Sequence, residues 1–225
     1  SMLIPLALSL WKNDGASAGF EIAFCITFFT GLLMWLLTRR YKRELIPRDG
    51  FLLVTMAWVL LALAATIPLY VNIEGISFVH AFFEATSGIT TTCGTILSGL
   101  DRLPLSVNFW RCFLAWMGGI GILVMAVAVL PLLGVGGSQI FRAESSGPMK
   151  EGRLTPRIAD TAKAFYNIYL AISVACAVCY HFAGMDWDDA IMHTFTTVSL
   201  GGYSSHDAGF AYWPGRAVDL SLIHI

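Results

Sequence analysis

A polar stretch rich in threonine and glycine lies between two very hydrophobic segments of the chain. It runs Ser87-Gly88-Ile89-Thr90-Thr91-Thr92-Cys93-Gly94-Thr95. Backbone without helical hydrogen bonds is tolerated at membrane depth only where protein buries it or where it lines a watery path. Backbone carbonyls of such a loop can replace the water around a cation, which is the chemistry of a cation selectivity filter. We therefore interpret the stretch as a filter loop, with a simple external turn as the alternative.

The composition is that of a membrane protein. Of the 225 residues 56% are hydrophobic and 13% are charged, whereas soluble domains carry roughly 25% charged residues. The formal net charge of -1 gives no indication of a nucleic-acid partner. We find no phosphate-binding loop, paired carboxylates or activated nucleophile in the sequence, and we predict neither enzyme activity nor a cofactor. Most cysteines lie in apolar runs, which favours buried thiols over a metal or disulfide role for Cys176-x-x-Cys179.

Hydropathy divides the chain into long and short apolar segments. The long ones reach the roughly 20 residues that cross a bilayer as a helix, and they run Ala18 to Thr38, Phe51 to Val71, about Phe109 to Ile140, and Ala164 to Ala183. Two short segments, Phe78 to Thr86 and the one within Asp186 to Ser205, end in polar glycine-containing loops. Apolar runs also open and close the chain (Met2 to Trp11 and Ala217 to Ile225), so we interpret it as a fragment.

Basic residues indicate how these segments are oriented. Ten of the fourteen Lys and Arg residues fall in two loops, namely Arg39, Arg40, Lys42, Arg43 and Arg48, then Arg142, Lys150, Arg153, Arg157 and Lys163. The positive-inside rule places both loops in the cytoplasm, and two crossings lie between them. Residues 72 to about 108 therefore start and finish outside. We predict that the short apolar helix and the Thr/Gly loop form a re-entrant hairpin there.

This hairpin recurs once along the chain. A shift of 109 residues places Pro47-Arg48 on Pro156-Arg157, Gly75 on Gly184, Phe78 on Trp187, and Thr91-Thr92-Cys93-Gly94 on Leu200-Gly201-Gly202-Tyr203. We predict an all-α integral membrane fold of parallel repeats, each a membrane helix, pore helix, filter loop and membrane helix. Because a ring of about four hairpins is needed to enclose an ion, the pseudo-fourfold pore would need roughly 480 residues. The chain is about half of that.

The repeat sets the predicted domain boundaries. Residues 1–46 are lead-in transmembrane helices of which the first is cut, residues 47–141 are the first pore repeat, and residues 142–225 are a cytoplasmic linker with an incomplete second pore repeat. The alternative architecture is a secondary transporter whose midplane site is built from broken helices, and it predicts inverted repeats. Both repeats here begin from a basic loop on the same side, which favours the parallel arrangement.

Several stretches together resemble a known family. They include Phe82-Phe83-Glu84-x-x-Ser87-Gly88-Ile89-Thr90-Thr91-Thr92, Gly118-Gly119-Ile120-Gly121, Leu133-Gly134-Val135-Gly136-Gly137, Pro156-Arg157-Ile158-Ala159-Asp160-Thr161 and Gly201-Gly202-Tyr203-Ser204-x-His206-Asp207. The chain resembles the TrkH/TrkG potassium-uptake subunits, which are related to KtrB within the superfamily of K+ transporters. The resemblance covers essentially the whole chain and implies a multi-pass subunit of the bacterial inner membrane with four repeats and one central pore.

The resemblance also implies partners and site residues. The family works as a homodimer gated by TrkA, a cytoplasmic nucleotide-binding ring, and K+ is its only metal ion. Filter carbonyls coordinate the K+, and the implied ligands here are Thr91, Thr92, Leu200 and Gly201. The implied filter-supporting residues are Thr90, Cys93, Gly94, Thr95, Ser199, Gly202 and Tyr203. The preference for K+ over Na+, coupling to H+ or Na+ (symport), and a non-selective monovalent cation channel stay open.

Three residues of the two hairpins leave alternatives open. Cys93 occupies the position of the family's first filter glycine, so either the cysteine adopts a strained backbone conformation, at about 1–3 kcal/mol, or the loop shifts so that Gly94 takes the role. Glu84 lies in a half-membrane helix, where an acidic residue is costly and usually functional. It either attracts cations at the pore mouth or hydrogen-bonds the filter from behind, and His193 has the same two roles open to it.

Overall fold

The chain folds into helices joined by short loops. The computed structural model describes residues 1–40, 47–129 and 154–213, and within these ranges it contains no strand. The α-helices there are α1 (Leu3–Lys12), α2 (Ser17–Thr38), α3 (Pro47–Asn72), α4 (Phe78–Ile89), α5 (Leu105–Val129), α6 (Leu154–Phe182) and α7 (Trp187–Val198). Two short 3-10 helices, Leu100–Arg102 and Gly209–Tyr212, lie in the loops that follow α4 and α7.

Four of these helices are long and apolar enough to cross a membrane. Their spans are Ser17–Thr38, Leu52–Asn72, Leu105–Met125 and Asp160–Phe182, which confirms the predicted all-helical, multi-pass class. Only 11% of the α2 span is buried inside the protein, against 50% of the α5 span. Because lipid tails are as apolar as leucine, the exposed Leu and Phe side chains of α2 suit a lipid-facing position. Helix α5 is the central helix of the described part.

Several helix boundaries differ from the sequence-based prediction. Helix α3 begins at Pro47, four residues before the predicted start, and α4 continues to Ile89, three residues past the predicted end. Helix α6 begins at Leu154, so Lys163 lies inside a helix and not in the basic loop to which it was assigned. Helix α5 begins at Leu105, four residues before the predicted start. Hydropathy marks where a helix enters lipid and not where its hydrogen bonding starts, which accounts for the early starts of these helices. The glycine motif at 133–137, most of the basic loop from Arg142, and the last apolar run from Ala217 lie outside the described residues.

The two short helices match each other in length and setting. Both α4 and α7 have 12 residues, and their first residues are 109 positions apart, as are their last. A left-handed glycine precedes each helix by three residues, with φ of 75° at Gly75 and 110° at Gly184. Helix α4 packs on α3 and α5, and α7 packs on α6 and α5. Helix α5 therefore lies against both short helices.

Two adjacent glycines let α5 approach the ends of both short helices. A Cβ added at Gly118 would fall on the carbonyl oxygen of Ile89, the last residue of α4. A Cβ added at Gly119 would lie 3.3 Å from the Cα of Ser199, which caps the end of α7. Small residues of this kind allow close backbone approach between membrane helices. The two loops that follow α4 and α7 are thereby brought to one region of α5.

Candidate cation filter

The first loop folds back onto the end of α4. The backbone N–H of Thr91 donates to the carbonyl of Gly88 (2.9 Å), and that of Cys93 donates to the carbonyl of Ser87 (3.0 Å). The Ser87 hydroxyl in turn donates to the carbonyl of Gly94 (2.7 Å). The backbone at Thr91 and Cys93 is left-handed, with φ of 59° and 51°. These bonds fix the loop as a compact turn that is not helical.

The second loop has the same features at equivalent positions. Leu200 and Gly202 have φ of 57° and 134°, and they lie 109 residues after Thr91 and Cys93. The Thr196 hydroxyl donates to the carbonyl of Tyr203 (2.9 Å), which repeats the bond between Ser87 and Gly94 at the same offset. The backbone N–H of Leu200 donates to the carbonyl of Thr197 (3.0 Å), which repeats the bond from Thr91 to Gly88. The carbonyl of Thr196 accepts from the N–H of Gly201 (2.8 Å), one position before the equivalent of Cys93. Two stretches with little sequence identity therefore adopt a common backbone pattern.

The backbone carbonyls of the expected ligands have no hydrogen-bond donor within the part of the chain that the structure describes. This holds for Thr91 and Thr92 in the first loop and for Leu200 and Gly201 in the second. At membrane depth an unpaired carbonyl costs several kcal/mol unless it lines a watery path. Leu200 is 90% exposed, so this side of the second loop faces out from the described residues. Free carbonyls at these four positions can accept a cation.

Cys93 itself takes the left-handed conformation. Gly94 has no positive φ, so the loop has not shifted to give it that role. A residue with a Cβ at such a φ is strained by about 1–3 kcal/mol. Of the two alternatives for this position, the structure has the strained cysteine.

Glu84 and His193 occupy equivalent positions behind the two loops. Both side chains are fully buried. One Glu84 oxygen accepts from the Thr95 hydroxyl (2.9 Å), and the other accepts from the backbone N–H of Ile96 (3.3 Å). The Nε2 of His193 lies 3.1 Å from the Ser204 hydroxyl. Ser204 is 109 residues after Thr95, so each side chain bonds the same position of its own loop.

The Cys93 thiol joins the two loops. A Cβ added at Gly201 would strike the Cys93 sulfur, so the first loop fills the space that glycine leaves in the second. Cys93 also packs against the buried cluster of Cys112, Met192 and Tyr203. All five cysteines are free thiols, including Cys176 and Cys179.

We expect Gly201→Ala to be harmful alone and tolerated in the Cys93→Gly background. The added methyl overpacks the Cys93 sulfur, at a cost of about 1–3 kcal/mol, and removing that side chain opens the space. Thermal unfolding is measured for the purified full-length protein, the two single variants and the double variant. We expect the changes in stability of the two single variants not to add up to that of the double variant. Strictly additive effects would contradict the contact.

A histidine and three aspartates connect the second loop with the segment that follows the first. The Nδ1 of His206 lies against Asp101, and its Nε2 lies 3.2 Å from Asp189. Asp207 accepts from the backbone N–H groups of Gly99 and Leu100 at 3.0 and 3.1 Å. Because ionised carboxylates only accept hydrogen bonds, Asp101 and Asp189 favour the imidazolium form of His206, in which both ring nitrogens donate. The second loop is thereby joined to the segment that follows the first.

Burial lowers the pKa of His206, but the hydrogen bonds to Asp101 and Asp189 outweigh it, so the pKa lies above its ordinary value. The hydrogen bond from His206 holds the pKa of Asp101 below its ordinary value. A histidine whose pKa is raised by folding stabilises the folded state. The whole contribution is present below the unfolded-state pKa of about 6.5, and it is lost as the pH rises through the folded-state pKa.

We therefore expect His206→Asn to lower the unfolding temperature of the full-length protein at pH 5.5 more than at pH 9. The parent should lose this part of its stability as the pH rises, whereas the variant lacks it throughout. The same substitution at exposed His80 controls for loss of a histidine elsewhere. An effect of His206→Asn that is equal at both pH values would contradict the imidazolium.

One buried charge near the loops was missed by the sequence analysis. Arg111 lies in α5, inside a run that was treated as apolar, and its side chain is fully buried. Its guanidinium group forms an ion pair with Glu84 at 2.7 Å. The signal was present, because a charged residue within a membrane span is rare and usually functional.

Comparison with known proteins identifies the family. Residues 16–223 match the family model described as TrkH, cation transport protein. The chain belongs to the TrkH family. Its four apolar spans and this membership make it a multi-pass protein of the cytoplasmic membrane.

Members of the TrkH family with curated names are similar over the whole chain. The Trk system potassium uptake protein TrkH of Vibrio parahaemolyticus serotype O3:K6 is 47% identical over 99% of this chain. TrkH of Escherichia coli K12 is 44% identical over 97% of it, and TrkG of the same strain is 40% identical over 98%. The crystal structure of the potassium transporter TrkH from Vibrio parahaemolyticus covers 99% of the chain with a TM-score of 0.85 at 43% identity. The chain spans about half the length of these relatives, 46% of each named protein and 44% of the crystallised chain.

Proposed function

We propose that the protein takes up K+ across the cytoplasmic membrane through a selectivity filter of backbone carbonyls. The ligands are the carbonyls of Thr91 and Thr92 in the first loop and of Leu200 and Gly201 in the second. The observation that carries this proposal is that all four are without a donor in the described residues, in two loops with the same backbone pattern. The names of the relatives, which are potassium uptake proteins, support K+ as the ion.

The hairpins are parallel repeats of one pore-forming unit. Three features support this, each repeated after 109 residues: the short helices α4 and α7, the left-handed residues of the loops, and the hydrogen bonds that the Ser87 and Thr196 hydroxyls donate. Residues 47–141 form the first unit, and residues 142–225 hold the linker and part of the second, after the lead-in helices of residues 1–46. Two hairpins leave a pore open on one side. The other half of a protein as long as the relatives supplies two more and closes a pseudo-fourfold ring.

The protein is the translocating subunit of a Trk-type system. It acts as a homodimer, and a TrkA-like nucleotide-binding ring docks on its cytoplasmic side. The basic segment from Arg142 to Lys163 is the candidate docking surface, because it carries five of the fourteen Lys and Arg residues of the chain. Filter-supporting roles fall to Thr90, Cys93, Gly94, Thr95, Ser199, Gly202 and Tyr203.

Ion uptake by cells that lack their own K+ uptake systems tests the proposal. The full-length protein is expressed with and without a TrkA-like ring, and initial uptake of K+ and of Na+ is measured for the parent and for Cys93→Gly. We expect K+ uptake in the parent and a higher K+/Na+ ratio in Cys93→Gly, because glycine relaxes the left-handed position. Equal uptake of both ions would support a non-selective cation channel. Uptake of neither ion, even with the ring present, would contradict the proposal.

A further inference from the structure

Arg111 makes contacts with both filter loops from a single buried position. Its Nε and Nη2 atoms lie 2.8 and 2.7 Å from the same Glu84 carboxylate oxygen. The Nη2 atom also donates to the Thr95 hydroxyl at 3.2 Å. The guanidinium carbon lies 4.5 Å from the centre of the Tyr203 ring, in the second loop. One planar cation thereby contacts residues on α4 and on each of the two loops.

Two further bonds complete this network. The Nη1 of Arg111 donates to Asn108 (2.8 Å), and the side-chain amide of Asn108 donates to the carbonyl of Ser205 (2.7 Å). The Tyr203 hydroxyl donates to the backbone carbonyl of Glu84 (2.9 Å). The first loop is thus bonded to α5 through Thr95, and the second loop is bonded to α5 through Asn108 and to α4 through Tyr203.

Among the described residues, no equivalent of the buried Arg111–Glu84 ion pair lies on the α7 side of α5. Helix α7 has His193 where α4 has Glu84, so in the described residues an ion pair lies behind the first loop and an imidazole lies behind the second. A guanidinium offers five donors in a fixed plane, whereas an ammonium is a point charge on a flexible stem. Only the planar group can hold Glu84, Asn108 and Thr95 while it stacks on Tyr203.

We infer that Arg111 is a positioning residue that sets the K+/Na+ selectivity of the filter by fixing both loops to α5. The inference rests on the proposed function. Functional groups must be held within about 0.5 Å of their working geometry. If the loops are held less firmly, their carbonyls can move inward and coordinate the smaller Na+. Loss of the Arg111 contacts therefore lowers the K+/Na+ selectivity more than it lowers the rate of uptake.

The test compares uptake of K+ and Na+ by the full-length protein at equal amounts in the membrane of K+-uptake-deficient cells. Arg111→Lys keeps the positive charge but loses the planar guanidinium group. Thr95→Val loses the hydroxyl that bonds both Arg111 and Glu84. We expect the K+/Na+ ratio to fall roughly tenfold in each, the size of one charge-assisted hydrogen bond. Thr95→Ser keeps the hydroxyl and should retain the parent ratio. Arg102→Gln, at an exposed arginine on the short 3-10 helix, is the control for loss of a positive charge.

The ratio separates positioning from a purely structural role. If Arg111 had a purely structural role, the variants would take up K+ and Na+ more slowly but with the same K+/Na+ ratio as the parent. That result in Arg111→Lys and Thr95→Val would overturn the inference and leave the proposed function intact. If Arg111→Lys does not accumulate in the membrane, the comparison of Thr95→Val with Thr95→Ser decides. If the parent takes up neither ion, the proposed function fails and the inference fails with it.

Discussion

Gly118→Ala should prevent the full-length protein from accumulating as a stable, folded membrane protein. The added Cβ would fall on the carbonyl oxygen of Ile89, and a backbone atom of a helix end cannot move away as a flexible side chain can. Overpacking of a well-packed site costs about 1–3 kcal/mol, occasionally more, and the displaced Ile89 directly precedes the first filter loop. Loss of the monodisperse peak in detergent chromatography, or a large drop in unfolding temperature, is the expected result.

Gly121 provides the matched control for this prediction. It lies one turn along on the same helix, and a Cβ there would lie 3.6 Å from the Trp58 ring, which is ordinary contact. Gly121→Ala should therefore be tolerated, and alanine is favoured over glycine within helices by about 1 kcal/mol. If Gly118→Ala is as stable as Gly121→Ala, then α5 does not approach α4 as described.

Glu84→Ala should be the other strongly destabilising change. It leaves the Arg111 guanidinium buried without its carboxylate, and breaking a buried ion pair from one side costs about 3–5 kcal/mol. It also removes the acceptor of the Thr95 hydroxyl and the Ile96 N–H. Thermal unfolding of the purified full-length protein would show this as a large fall in midpoint temperature.

Two comparisons make the Glu84 result specific. Glu74→Ala removes an acidic residue from an exposed turn and should leave the midpoint nearly unchanged. The double variant Glu84→Gln/Arg111→Gln carries no buried charge, so it should recover part of the stability that Glu84→Ala loses. A midpoint for Glu84→Ala close to that of the parent would show that the ion pair does not hold the loops.

The helical plan of the chain could be predicted because hydropathy and length determine it. A run such as Phe51 to Val71 has no stable alternative to a membrane helix, and the two short segments between loops were placed within a few residues of α4 and α7. The start of α6 at Leu154 was missed because a helix that extends into water leaves no hydropathy signal. Family membership also followed from the motifs, since together they are specific.

The environment of the loops could be predicted only in part. Sequence could not decide between Cys93 and Gly94 as the left-handed residue, because the bonds from the loop back to Ser87 decide it. It also could not assign a partner to Glu84, since Arg111 is 27 positions away on another helix. Burial and pairing of charges are tertiary features, and the span that contains Arg111 was read as an apolar run.

The most direct test of carbonyl coordination is the position of the bound ion. Crystals of the full-length protein grown in a rubidium salt would show Rb+, a substitute for K+, by its anomalous scattering. Our account predicts peaks between the loops, in contact with the backbone carbonyls of Thr91, Thr92, Leu200 and Gly201. Peaks confined to a site of side chains near the membrane midplane, with none between the loops, would contradict it and favour a secondary transporter built from broken helices.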